Sequence, residues 1–185
     1  MEISESDCGG KTMDKERMSA LPYHFQNWLV MNKTPFYQWE THFFRKNTLL
    51  VCLEIYEELE QKLRTEHVAV KMDLKEVWDD RDILCTAQMP AAVCSLFYTL
   101  IWNRDRMKVT LSGRENCLTC IAETADLEGG LQEKELIQAA SECRKLAVAY
   151  LDSIGYDVKI SRSGKKELIS VTFQAAGKAV RNRYD

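Results

Sequence analysis

The sequence predicts an α+β fold: a two-layer α/β sandwich with a mixed sheet covered on one face by helices, plus an N-terminal helical segment. Three observations predict it. Two stretches, Met107–Ala122 and Tyr156–Phe173, each alternate apolar and polar residues on both sides of a polar turn, the pattern of a β-hairpin. Two others, Gln88–Asn103 and Glu133–Ile154, repeat apolar residues every three or four positions, as amphipathic helices do. A lone alternating run, Glu66–Leu74, precedes them. Strands that arrive as hairpins cannot build a purely parallel, doubly wound sheet, so a mixed sheet carrying both helices on one face is the natural solution.

Residues 1–12 are polar with a glycine pair and little to bury, and read as a disordered tail. Residues 13–47 read as the helical segment. Met13, Met18, Leu21, Phe25, Trp28 and Leu29 suggest a helix interrupted near Pro22. After Pro35 a second helical pattern begins with Phe36, Trp39, Phe43 and Phe44 and continues through Leu50, Leu53, Tyr56, Leu59 and Leu63. It either runs unbroken to about Arg64 or breaks near Asn47.

The sandwich domain then spans 48–174. In Glu66–Leu74, Val68, Val70, Met72 and Leu74 share one face. Charged residues 75–82 read as a loop. The helix from Gln88 tolerates Pro90 in its first turn, buries Val93, Leu96, Phe97, Leu100 and Ile101, and ends near Trp102-Asn103. Met107, Val109 and Leu111 alternate, residues 112–116 turn, and Leu118, Cys120 and Ala122 return. The helix of Glu133–Ile154 keeps one stripe through Leu136, Ala140, Cys143, Ala147, Tyr150 and Leu151, with Gly155 placed as its C-terminal cap. The last hairpin pairs Tyr156–Ile160 with Leu168–Phe173. Residues 175–185 read as a basic tail.

The chain of 185 residues carries a net charge of −3, which argues against generic binding to nucleic acid or anionic membrane. Its hydrophobic fraction of 45% with only 8 glycines and 3 prolines excludes a collagenous or low-complexity chain. The start of the chain lacks the basic-then-apolar order of a signal peptide, and a cytoplasmic location is expected. The cysteines number seven, an odd count, and Cys52, Cys94 and Cys143 fall on apolar helical stripes, as reduced core thiols would. Cys117-Leu-Thr-Cys120 has no second pair for zinc, and as part of a strand it points its two thiols to opposite faces.

The order of these elements resembles the ATP-binding domain of the GHKL superfamily, the histidine-kinase-like ATPases, over about residues 48–173. The residues that carry the resemblance are the proline-started helix Gln88-Met-Pro-Ala-Ala-Val-Cys-Ser-Leu-Phe-Tyr-Thr-Leu-Ile-Trp-Asn103, the hairpin after it, the glycine pair of Glu123-Thr-Ala-Asp126-Leu-Glu-Gly129-Gly130, and the hairpin Gly155–Phe173. The resemblance implies nucleotide-binding roles for Asn103, on magnesium and phosphates, and for Asp126, on adenine. It also exposes departures. Asn103 lies at the end of its helix, where Tyr98 and Thr99 occupy the expected stretch; the glycine spacing differs, and only Leu131 and Gln132 separate Gly130 from the long helix. Without a cradle of backbone N–H groups the phosphates have little to neutralise them. A degenerate domain with no cofactor is therefore expected.

A degenerate domain of this kind behind N-terminal helices is also similar to bacterial histidine phosphotransferases, which display one histidine on a helical hairpin. His42 is the candidate phosphoacceptor, with Glu40, Thr41, Arg45, Lys46 and Asn47 nearby to orient it and meet a phosphate. Its other reading is a partly buried residue between Trp39 and Phe43. The aromatic run Phe36, Trp39, Phe43 and Phe44 reads either as core packing or as an interface. The expected function is non-catalytic protein–protein interaction in bacterial signalling or transcriptional control. A response regulator or transcription factor is the kind of partner implied, with a homodimer as an alternative. A phosphotransferase using His42 and an ATP-binding kinase fragment are the competing readings; no membrane partner is expected, and nucleic acid is disfavoured.

Overall fold

A computed structural model describes residues 42–64, 68–101, 107–124 and 134–177. In chain order the elements are β1 (Phe44–Asn47), α1 (Thr48–Arg64), β2 (Val70–Val77), β3 (Asp82–Cys85), α2 (Met89–Tyr98), β4 (Met107–Glu115), β5 (Cys117–Thr124), α3 (Lys134–Ser153), β6 (Asp157–Ser163) and β7 (Lys166–Thr172). The five-stranded sheet has the order β2-β4-β5-β7-β6, and β1 pairs with β3 as a separate ribbon. Only β2 and β4 run parallel; the other pairs are antiparallel. The mixed sheet with helices on one face is thus the architecture of the chain.

That face is apolar. Val109 and Leu111 of β4, Leu118, Cys120 and Ala122 of β5, and Ile169 and Val171 of β7 are all buried. Above them α2 packs between α1 and α3. Helix α1 buries Val51, Cys52, Ile55, Leu59 and Leu63, a stripe of the spacing expected for one helical face. Phe97 of α2 and Phe173 after β7 are among the largest fully buried side chains, each stabilising by roughly 1.5–3 kcal/mol relative to exposure. The other sheet face is mostly polar apart from the half-buried pair Ile121 and Leu168, and Thr119 and Ser170 hydrogen-bond across it at 2.8 Å.

Four local differences from the sequence reading stand out. Phe44–Asn47 is a strand, where the aromatic spacing predicted helix, because it pairs antiparallel with Asp82–Cys85. Asn47 then starts α1, its Oδ1 accepting from the Leu50 N–H at 3.2 Å, so the helix begins here and does not continue from residue 36. Strand β2 runs on to Val77, through residues expected to be loop. A register shift between Asp73 and Glu76 leaves Leu74 and Val77, three positions apart, both buried, and such a bulge breaks the period of two. At the edge, Met72 is exposed, against its predicted burial. Finally, β4 and β5 are longer than expected, Arg114 pairing with Cys117, and reverse through Glu115 and Asn116, with Glu115 at φ +54°.

Two glycines are required where they stand. A Cβ on Gly113 would lie 2.3 Å from Val77 Cγ2, so only glycine lets β2 approach β4 there. Gly155, at φ +82°, ends α3: its N–H donates to the Asp152 carbonyl, and that of Tyr156 to Leu151, both at 3.0 Å. This is the paired capping pattern that satisfies the last carbonyls of a helix. Packing continues past 174: Ala175 pairs with Ile83, and Arg45 donates to the Gly177 carbonyl at 2.8 Å.

Candidate functional site

The resemblance directs attention to the C-terminal end of α2. Regular helix stops at Tyr98, and the chain tightens through Leu100 N–H to the Phe97 carbonyl and Ile101 N–H to that of Tyr98, both 3.0 Å. Leu100 and Ile101 are buried. Asn103 and Asp126 lie outside the described residues. What the structure does place here is Tyr98 and Thr99, both buried.

The Thr99 hydroxyl donates to the Leu96 carbonyl at 2.5 Å and accepts from Arg144 Nε, on α3, at 3.0 Å. The same guanidinium reaches the Thr99 carbonyl with Nη2 at 3.5 Å. One turn earlier, Ser95 is fully buried on the same helix face, and its Oγ has no hydrogen-bond partner among the described residues. The chemistry of this donor set does not suit a divalent cation. Magnesium demands several oxygen ligands, whereas here the hydroxyl is already bonded twice and a positive charge sits 3.0 Å away, repelling any second cation.

Below the other half of α3, the Tyr150 hydroxyl lies 2.6 Å from Thr86 Oγ1 and donates to Gln88 Oε1 at 3.5 Å. The Tyr156 hydroxyl donates to the Leu84 carbonyl. These bonds fix the β3–α2 connection to α3. Burial raises the pKa of both phenols, so they stay neutral and act as hydrogen-bonding struts. The thiols are equally quiet: burial pushes Cys52, Cys120 and Cys143 up to about 12 and Cys85 to about 11. Cys117 and Cys120 lie on opposite faces of β5, half-buried and buried respectively. No group of three or more metal-ligating side chains gathers among the described residues.

His42 is exposed and sits just before β1, not on a helix. Of its expected companions, Arg45 is engaged with Gly177 and Lys46 is paired with Glu54. Phe43 and Phe44 are 46% and 44% exposed; Phe36 and Trp39 lie outside the described residues. The sequence reading missed the pairing of Thr99 with Arg144. Its trace is visible in retrospect as hydroxyls at positions 95 and 99, one turn apart on an otherwise apolar helix.

The fold is that of the histidine-kinase-like ATPase domains. Among solved structures, the chain is similar to the cytoplasmic segment of histidine kinase QseC, with TM-score 0.59 and 8% identity, covering 84% of this chain and 97% of that one. It is similar also to the Acinetobacter baumannii histidine kinase AdeS, with TM-score 0.51 and 12% identity over 83% of this chain and 76% of that one. Full-length ShkA in complex with AMPPNP matches with TM-score 0.53 and 10% identity over 83% of this chain, which spans 35% of ShkA. No protein-family model matches the sequence. No curated protein matches it either. Among the described residues no helix is long and apolar enough to cross a membrane.

Proposed function

We propose that this chain is a non-catalytic docking module of bacterial signalling or transcriptional control, a histidine-kinase-like domain that has lost its nucleotide chemistry and works in the cytoplasm by binding a protein partner. A response regulator or a transcription factor is the kind of partner it would occlude or present. The observation that carries this reading is the Arg144–Thr99 contact at the end of α2. In a nucleotide-binding relative this stretch would offer an amide to magnesium and phosphates; here a hydroxyl bonded to its own helix and to a guanidinium takes its place. Exposed Phe43 and Phe44 support a contact role, since rings left in water favour burial against a partner.

The test is a calorimetric titration of the full chain with ATP, with and without magnesium, because arginine alone can meet a phosphate. Neither arm is expected to show binding up to about 1 mM, a ceiling of roughly 4 kcal/mol in affinity. A dissociation constant tenfold below that in either arm would overturn the reading. Incubation with radiolabelled acetyl phosphate is expected to leave the chain unlabelled. Label that disappears in His42→Ala would establish a phosphotransferase instead.

A further inference from the structure

The groove between α3 and β6 shares Arg144 with the rim just described and none of its α2 residues. It has a volume of about 460 Å³ and is lined by Lys145, Val148, Ala149 and Asp152 of α3 and by residues 156–158 and Ile160 of the strand side, with Arg144 at one end. Strand β6 is an edge of the sheet, and Ile160 is 46% exposed on it. We infer that this groove and edge bind a second copy of the chain, two β6 strands pairing antiparallel about a two-fold axis at Val158.

Backbone geometry permits the pairing. The β6–β7 hairpin closes through Gly164-Lys165, with Ser163 opposite Lys166, and Gly164 has φ +58°. In such two-residue turns the flanking pair is hydrogen-bonded, and the bonding then alternates along the strand. Asp157, Lys159 and Ser161 therefore bond to β7, while the N–H and C=O groups of Val158 and Ile160 face away from the sheet. Those outward groups are what an added strand needs.

Charge selects the register. With Val158 opposite its own copy, Asp157 faces Lys159 of the second copy, twice over. Shifting the axis to Lys159 would set two lysines directly opposite, which is destabilising. On the helix side, Lys145, Val148, Ala149 and Asp152 fall at i, i+3, i+4 and i+7, one stripe about 10 Å long. The strand segment 156–160 along the same groove is about 13 Å long. The helix turns directly into the strand, so Asp152 lies at the Tyr156 end of the groove and Lys145 towards the other, and the two-fold that joins the strands carries Lys145 towards Asp152 of the second copy across an apolar strip of valine and alanine. Ile160 is covered at the same time by the Tyr156 side of the second groove. The pairing is self-complementary, as an isologous contact must be. It does not rest on the docking role proposed above.

The test is sedimentation equilibrium of the full chain across a concentration series, with circular dichroism confirming that each variant is folded. The parent is expected to dimerise. Asp157→Lys, which sets like charges opposite, is expected to weaken the dimer by roughly tenfold or more, and adding Lys159→Asp to it is expected to restore affinity to within about threefold. Should Asp157→Lys unfold the chain, Ile160→Lys at its exposed position serves in its place, with the same loss expected. A parent that stays monomeric at about 100 μM, a scale typical of weak contacts, overturns the inference. So does a dimer that ignores these substitutions, which would place the contact elsewhere, or a double variant that fails to recover.

Discussion

Thr99 and Arg144 hold one another in a way that separate substitutions should reveal. Thr99→Val keeps the shape but leaves a half-buried guanidinium without its oxygen acceptor at 3.0 Å, and is expected to cost about 1–3 kcal/mol in urea unfolding. Ser95→Ala removes a buried hydroxyl that has no partner among the described residues; it is expected to be neutral or stabilising by up to about 1 kcal/mol, read from the same transition. The thiols make a second test. Burial raises Cys120 from 9.0 to about 12, so the folded chain holds its proton over a pH range in which the unfolded chain releases it. This contribution is fully present below pH 9 and is lost as pH rises from there towards about 12, by on the order of 1–2 kcal/mol near pH 10 for one such thiol. Urea midpoints should therefore fall on passing from pH 8 to pH 10, and replacing Cys120 with alanine should flatten that fall. The sequence marked Cys52, Cys94 and Cys143 as core thiols because they lie on helical stripes, and they are buried. It could not mark Arg144, since a positive charge beside an apolar stripe reads as a solvent-facing neighbour until the helix opposite is known.

Among the elements, legibility followed the source of each one's stability. Helix α3 and the β6–β7 hairpin were readable because their own side chains carry the period, and Gly155 sits at the predicted cap with φ +82°. Gly155→Ala is expected to lose about 1 kcal/mol or more, because a Cβ strains that backbone and would lie 2.9 Å from Gln174 Oε1. By contrast, β1 and β3 are held by each other and by Ala175, contacts distant in sequence that no local pattern records. The end of β2 was hidden by its bulge, which turned an alternating strand into an apparent charged loop. Gly113→Ala tests that junction: the added methyl meets Val77 Cγ2 at 2.3 Å, so a loss of about 1–3 kcal/mol is expected, with partial recovery on adding Val77→Ala.

For the whole molecule, hairpin order was enough to foresee a mixed sheet under helices, because topology follows from which strands adjoin in sequence. The site was less legible. Asn103 and Asp126 lie outside the described residues, and what the structure places at the end of α2 is a contact between Thr99 and Arg144, 45 positions apart. A further consequence lies in the β1–β3 ribbon. Arg45 ties it to Gly177, yet Phe44 lies opposite Cys85 while Ala176 bonds to Asp82 on the other side of β3, so the two points sit at opposite ends of the ribbon. Tension applied through these two points would run along the strands and load the four rungs of that ribbon together, in shear, whereas the hairpin-built sheet behind it would feel little of the pull. Stretched between two tethers, the domain should yield in two stages: a small, abrupt extension as β1 slides off β3, and then a larger rupture of the sandwich.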